Sequence, residues 1–375
     1  MRNFILIISF LIASIVHAAS NNFNYGSGYA AVNKMSSKAL INAMDRIDDR
    51  IYAVGEHGII LYSDDFGDSW TQSKSVPFTN TLTDITCVSK EKCWATGHDA
   101  TILYTGNAGE TWIKQYEDPG FDAPLLSIHM FDSGEGIALG AFALSLRTSD
   151  GGETWGYLFI DDDDFQPHLN HAYGDEQVWR KSAQDETYAV GELGKYYISD
   201  DKGLNWLTID TGYEGSYWSG VKVDEGQSLL LGMSGNITLT TLYGTDDEIP
   251  SNKITSLACY ESGYYAGDCK VFAFDKINIG TTNSLTSAII LDDGRIAISG
   301  NGGSISIVDL HRKKNIETCV RSDRLSNTSI VYIGSDTFLI AGESGFRKHN
   351  MKECFNNFQS ETSTSQDKYY TVELG

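Results

Sequence analysis

An apolar run ending in glycine recurs eight times along this chain, at Gly55, Gly97, Gly140, Gly191, Gly232, Gly267, Gly300 and Gly342, with spacings of 42, 43, 51, 41, 35, 33 and 42 residues. In the four clearest copies a second strand, a polar turn and a tryptophan follow: Ile51–Gly55 to Trp70, Cys93–Gly97 to Trp112, Gly136–Gly140 to Trp155 and Thr187–Gly191 to Trp206. Another short apolar run precedes each unit, as in Leu82–Cys87, Leu125–Met130 and Ile254–Cys259. A unit of about forty residues with four short strands cannot cover its own apolar faces, whereas neighbours in a closed ring can. The spacing therefore predicts an all-β fold, a single β-propeller of seven or eight four-stranded blades. The repeat count is eight, and the short spacings around Gly267 and Gly300 keep seven open. A parallel β-helix has much shorter rungs and fits poorly. A strand near Tyr25–Val32 is expected to complete the last blade, because an open ring exposes unpaired edge groups.

The polar turn has the form Ser/Thr-x-Asp-x-Gly-x-x-Trp. It appears as Ser63-x-Asp65-x-Gly67 to Trp70, Thr148-x-Asp150-x-Gly152 to Trp155 and Ser199-x-Asp201-x-Gly203 to Trp206, with Asn107 in the Asp place before Trp112. An Asp side chain in such a turn accepts hydrogen bonds from the turn's own amides, and glycine supplies positive φ. The tryptophan is expected to pack between sheets. Catalytic groups do not recur once per blade, so Asp65, Asn107, Asp150 and Asp201 read as structural.

Residues 1–18 read as a signal peptide: Arg2 gives a positive start, Phe4–Val16 is apolar but too short to span a bilayer, and Ala18 offers a small residue for cleavage. The mature chain is then periplasmic or secreted and does not itself span the membrane, with a propeller over 19–359 and a polar tail over 360–375. Six cysteines in an exported chain favour disulfides. Cys87/Cys93 and Cys259/Cys269 each flank a hairpin turn, which leaves Cys319/Cys354; free buried thiols are the alternative. The net charge of −22 argues against nucleic acid and anionic lipid, and leaves cationic partners or metal ions open.

Strands alternate in direction, so the glycine turns between second and third strands share a face with the connections between blades, and the Asp boxes lie on the other. The largest spacing, 51, marks an insertion on the glycine-turn face. Functional loops gather on such rims. Asp161, Asp162, Asp163, Asp164, His168, Asn170, Glu56, His57, His98, Asp99, Glu192 and Glu343 are the candidate partner- or ligand-binding residues. Carboxylates suit calcium and imidazole suits transition metals. Glu56 and Glu192 have a plainer role available, bonding to adjacent backbone amides, and the Asp run has one as a solvated loop.

The boxes resemble the Asp-box (BNR) repeats of sialidases, sortilin-type receptors and the photosystem II stability/assembly factor-like family. The last is similar in its layout A-V-G-E-x-G-x-I-x-x-S-x-D-x-G-x-x-W, matched here from Ala53 to Trp70 and from Ala189 to Trp206. Bacterial members of this family carry an acidic run leading into His-Leu-Asn, which resembles Asp161–Asp164 and His168-Leu169-Asn170. The resemblance implies a non-enzymatic exported scaffold without cofactor. It would bind a protein partner and assist assembly or action of a membrane protein complex or transporter. The photosynthetic members are thought to use a basic patch, which an acidic chain with ten arginines does not match. A sialidase-like or other glycoside hydrolase is the alternative. It needs three convergent arginines, a tyrosine nucleophile with a glutamate, and an Asp acid/base, and the arginines are scattered along the sequence. An adhesion or ligand-binding propeller is a third reading.

Overall fold

Seven antiparallel sheets succeed one another along the chain, each built from consecutive strands. The computed structural model describes residues 28–160, 165–174, 186–244, 247–249, 253–259, 269–310 and 317–350. Blade 1 comprises Ile41–Ile47, Arg50–Gly55, Ile60–Ser63 and Thr71–Gln72. The first strands of the others are Leu82–Cys87, Leu125–Met130, Leu169–Gly174, Tyr217–Asp224, Leu285–Ile290 and Asn327–Gly334. Each first strand touches the next, and the seventh returns to the first, so they form the inner wall of a ring. Seven clusters of buried apolar side chains fill the seven junctions between blades.

The blade count is thus seven. The unit at Gly267, a residue outside the described ones, is no blade. Its flanking strands Ile254–Cys259 and Cys269–Ile277 form a hairpin, and Cys269–Ile277 pairs with Ile237–Tyr243 of blade 5. That hairpin gives blade 5 its fourth and fifth strands, which explains the two short spacings. Blade 7 has three strands among the described residues. The strand expected near Tyr25–Val32 is corrected over its described part, residues 25–27 lying outside the described ones. Residues 28–32 form no strand, and their contacts go to blade 1: Ala30 N donates to Val76 O at 2.9 Å, and Gln72 Nε2 donates to Ala31 O at 3.0 Å. Blade 7 instead meets blade 1 face to face. Thr328 Oγ1 donates to Ile41 O at 2.6 Å, Met44 N donates to Ser329 Oγ at 3.1 Å, and Trp70 stacks on Phe346 at 3.7 Å.

The recurring glycine has one physical cause in all seven blades. A Cβ on Gly55 would lie 2.1 Å from Leu40 O, and a Cβ on Gly342 2.1 Å from Ser326 O; at Gly97, Gly140, Gly191, Gly232 and Gly300 the same carbonyl would lie 2.3 to 3.0 Å away. The residue after each glycine donates its N–H to that carbonyl, as Glu56 does to Leu40 at 3.2 Å. The turn is thereby clamped to the chain entering the same blade.

The Asp boxes hold their own corners. Ser69 N and Ser63 Oγ donate to Asp65 Oδ1 at 2.8 and 2.7 Å, and Gly67 N donates to Ser63 Oγ at 2.8 Å. Asn107, Asp150 and Asp201 repeat the pattern. Hydrogen bonds led by Ser69 hold the Asp65 carboxyl down at about 2. Trp70, Trp112, Trp155 and Trp206 each pack onto the preceding blade. Cys87 is bonded to Cys93 and Cys259 to Cys269. Cys319 is also oxidised, and Cys354 lies outside the described residues.

Candidate functional site

Every first strand carries a bulge at its second residue: Asn42, Thr83, Leu126, Asn170, Trp218, Thr286 and Thr328. A bulge leaves one residue out of the ladder and re-aims its side chain. Five of the seven use that freedom to tie neighbouring blades. Asn42 donates to Leu82 O at 2.7 Å, Thr83 to Leu125 O at 2.6 Å, Asn170 to Tyr217 O at 2.8 Å, Thr286 to Asn327 O at 2.8 Å and Thr328 to Ile41 O at 2.6 Å. The other two positions hold Leu126, whose side chain has no donor, and Trp218, whose indole N–H makes no such tie among the described residues.

At this end of the ring Asn42, Thr83, Leu126, Asn170 and Trp218 meet Thr81 and His98 around a cavity of about 430 Å³. His98 belongs to a glycine turn and Thr81 to the connection entering blade 2, so the cavity opens on the glycine-turn face. No lining residue carries a carboxylate. The cavity therefore offers an aromatic face, an aliphatic side chain, one imidazole and short polar groups. It suits a neutral side chain rather than an ion.

The sequence-derived candidates part company here. His98 and Asn170 line the cavity, and Asn170 also acts as an inter-blade tie. Glu56, Glu192 and Glu343 serve the backbone. They accept from Leu40 N at 3.2 Å, His168 N at 3.0 Å and Ser326 N at 3.2 Å, each clamping a turn to its own blade's entry. The plainer role applies to all three. His57 is exposed and only 3.9 Å from Glu56, its own neighbour. Asp99 accepts from Asn80 Nδ2 at 3.3 Å. His168 lies edge-on to Phe142 at 5.0 Å and 3.9 Å from Glu192. Asp161, Asp162, Asp163 and Asp164 lie outside the described residues. Among the described residues no group of three or more His, Cys, Asp or Glu is arranged to hold a metal. Several described arginines are tied to carboxylates: Arg50 to Asp64, Arg295 to Asp293, and both Arg321 and Arg347 to Asp323.

Sequence reasoning missed three titratable groups on the inner strands. Asp84 accepts from Ser127 Oγ at 2.7 Å and from Ile128 N at 2.9 Å, and burial pushes its carboxyl up to about 6. Burial takes His129 down to about 4; His171, lowered by burial and then by His129, also lies at about 4. His171 Nδ1 accepts from Gly220 N at 3.3 Å, so it serves as another tie between blades. It also missed Leu126 and Trp218. Aligning the second residue of each first strand would have found both as the apolar exceptions in a polar set.

The rim of the same face is uneven. The second residue of the glycine turn has positive φ in six blades: His57 (57°), Asp99 (55°), Phe142 (56°), Leu193 (56°), Ser234 (55°) and Gly302 (62°). Left-handed backbone costs a residue with a Cβ roughly 1–2 kcal/mol, least for Gly, Asn and Asp. Blades 3 and 4 nevertheless place Phe142 and Leu193 there, 53% and 41% exposed.

The sequence from 72 to 276, just over half the chain, matches the family model described as photosynthesis system II assembly factor YCF48. A solved structure described as YCF48 bound to D1 peptide is 15% identical, covers 85% of this chain and 95% of its own, and superposes with a TM-score of 0.58. YCF48 from Cyanidioschyzon merolae is 14% identical over 84% of this chain and 96% of its own, with a TM-score of 0.59. A streptogramin B lyase structure is 10% identical over 83% and 93%, with a TM-score of 0.62. At these identities the solved structures speak to the fold alone. No protein of curated function matches the sequence.

Proposed function

The chain belongs to the photosynthesis system II assembly factor YCF48 family, and from that premise we propose that it is an exported, non-catalytic scaffold that binds a protein partner on its glycine-turn face. The partner class we assign is a membrane protein complex or transporter whose assembly or action the scaffold assists. One observation carries the reading: the cavity at the ring's end is lined by Trp218, Leu126, one imidazole and short polar groups, with no carboxylate among them. Glu56 and Glu192, two carboxylates of the same face, are committed to backbone amides. Such a surface recognises side chains and does not activate water. Peptide binding by a relative, the YCF48 solved with D1 peptide, supports the same reading.

The test is capture from detergent-solubilised membranes on the immobilised full chain, read by mass spectrometry. A reproducible membrane-protein partner is expected. Absence of any partner, or hydrolysis of fluorogenic glycosides by the pure protein, would overturn the proposal. Reversing the charges of Asp161–Asp164 is expected to abolish capture with the melting temperature retained. Unchanged capture would remove that run from the site.

A further inference from the structure

The glycine-turn face divides into two sectors. In blades 1, 2 and 6 the second turn residues are His57, Asp99 and Gly302, of which His57 is exposed and the other two half-buried, and blade 7 offers exposed Glu343 and Ser344. In blades 3, 4 and 5 the turns present Phe142, Leu193 and Met233, 53%, 41% and 40% exposed. Phe165, on the connection between blades 3 and 4, is 60% exposed. The two apolar bulge residues, Leu126 and Trp218, belong to blades 3 and 5, and Asn170 of blade 4 stands between them. Apolar character therefore runs from the rim to the ring's axis within one sector.

Phe142 and Leu193 are the informative pair. Both hold a left-handed backbone that Gly, Asn or Asp would take more readily, and both turn large apolar side chains to solvent. Neither choice serves the fold, since the equivalent positions of four other blades do without it. On the opposite face Phe66 has the same backbone sign, with φ of 55°, but Arg46 lies over its ring at 5.2 Å. Phe142 has no cation over its ring among the described residues. His168 sits edge-on to it at 5.0 Å, and Ala143 N donates to Pro167 O at 2.9 Å. Apolar side chains that burden the free protein and stay exposed are the marks of an anchor awaiting a partner.

We infer that this sector is the docking surface for an extended apolar segment of the partner protein, with Phe142 and Leu193 as outer contacts and the cavity beside Trp218 and Leu126 as inner end. The inference rests on the partner-binding reading and adds to it the place and the chemistry recognised. A protein segment is favoured over a bilayer on two grounds. The depression of about 430 Å³ at the ring's end is lined by short polar groups beside Trp218 and Leu126, donors and acceptors that suit a peptide better than acyl chains. The chain's net charge of −22 opposes approach to anionic lipid. The same charge favours a segment that is neutral or basic outside its apolar residues.

The experiment uses the full chain and a phage-displayed library of short random peptides. Panning is expected to enrich peptides with several large apolar residues and few acidic ones. A synthetic peptide of the enriched class should alter the fluorescence of Trp218, and Trp218→Phe identifies the signal. The double variant Phe142→Asn, Leu193→Asn should weaken that peptide about tenfold or more. Its melting temperature should hold or rise, because asparagine favours the left-handed backbone. His57→Asn, in the polar sector, should bind as the parent does. Enriched peptides that bind the double variant undiminished, or lose affinity with His57→Asn, would overturn the inference while leaving partner binding intact. Failure to enrich any peptide would overturn both. Phe142-dependent sedimentation with phosphatidylcholine–phosphatidylglycerol vesicles would make the membrane the occupant and overturn it as well.

Discussion

Blades 1 to 4 and blades 5 to 7 reach the same architecture with different devices. The first four carry an Asp box between third and fourth strands, each holding its corner through Asp65, Asn107, Asp150 or Asp201. In blade 5 a long excursion and hairpin stand in that place. Two features run through all seven: the glycine at the end of the second strand and the bulge in the first. The comparison separates what a blade requires from what a corner prefers. Clamping the turn to the incoming chain is obligatory, because it sets where the inner strand begins. Closing the outer corner has several solutions.

The largest expected effect tests that separation directly. Gly55→Ala in the first group and Gly342→Ala in the second should be equally damaging, since a Cβ meets a carbonyl oxygen at 2.1 Å in both. Backbone must move in either case, at a cost of about 3 kcal/mol or more. Urea denaturation measures it. A Gly342→Ala variant as stable as the parent would show that the second group does not depend on the clamp.

A second difference lies on the inner wall. Asp84 and His171 stand third in the first strands of blades 2 and 4, and His129 fifth in that of blade 3, whereas blades 6 and 7 hold Ser287 and Ser329 at the third place and Ile289 and Val331 at the fifth. Acid should therefore loosen the first group. The two histidines lie at about 4 when folded, below their ordinary value, so their stabilisation is complete above about 6.5 and lost as pH falls towards 4. Asp84 lies at about 6, above its ordinary value, so acid through that window relieves it and works the other way. With two groups against one, the net loss from pH 7 to pH 5 is about 2 kcal/mol. Hydrogen exchange should show blades 3 and 4 opening first. Equal loosening in blades 6 and 7 would break the assignment, and His171→Asn should remove much of the slope.

Removing a corner device should matter less. Asp65→Ala frees the amides of one exposed turn and should lower the melting temperature less than either glycine variant does. The Asp boxes were legible in the sequence because each is a local turn whose donors and acceptor sit within a few residues. The ring itself was legible because its glycines form a period. The blade count was not settled, because Gly267 ends a run like the others. Only pairing across the sheet reveals that its hairpin joins blade 5. The closing strand was misplaced for a similar reason: an edge's need for a partner does not say which segment answers it. His98 and Asn170 were found at the cavity, but Glu56, Glu192 and Glu343 looked like ligand groups while their acceptors were turned to backbone. A side chain's partner sixteen or more residues away leaves no mark in the local pattern.

The smallest effect bears on the bulge positions, where the ring and its use meet. Leu126→Thr would restore at blade 3 the tie that Thr83 makes at blade 2, where the hydroxyl reaches Leu125 O at 2.6 Å. The gain should be about 0.5–1 kcal/mol, seen as a raised melting temperature. Asn170→Ala, which removes an existing tie, should lose a similar amount. If the blade 3–5 sector is a docking surface, Leu126→Thr should also weaken the apolar peptide while it strengthens the ring. That opposition distinguishes a residue kept for recognition from one kept for packing. A Leu126→Thr protein that is less stable and binds equally well would return Leu126 to the core and leave Trp218 as the ring's lone apolar exception.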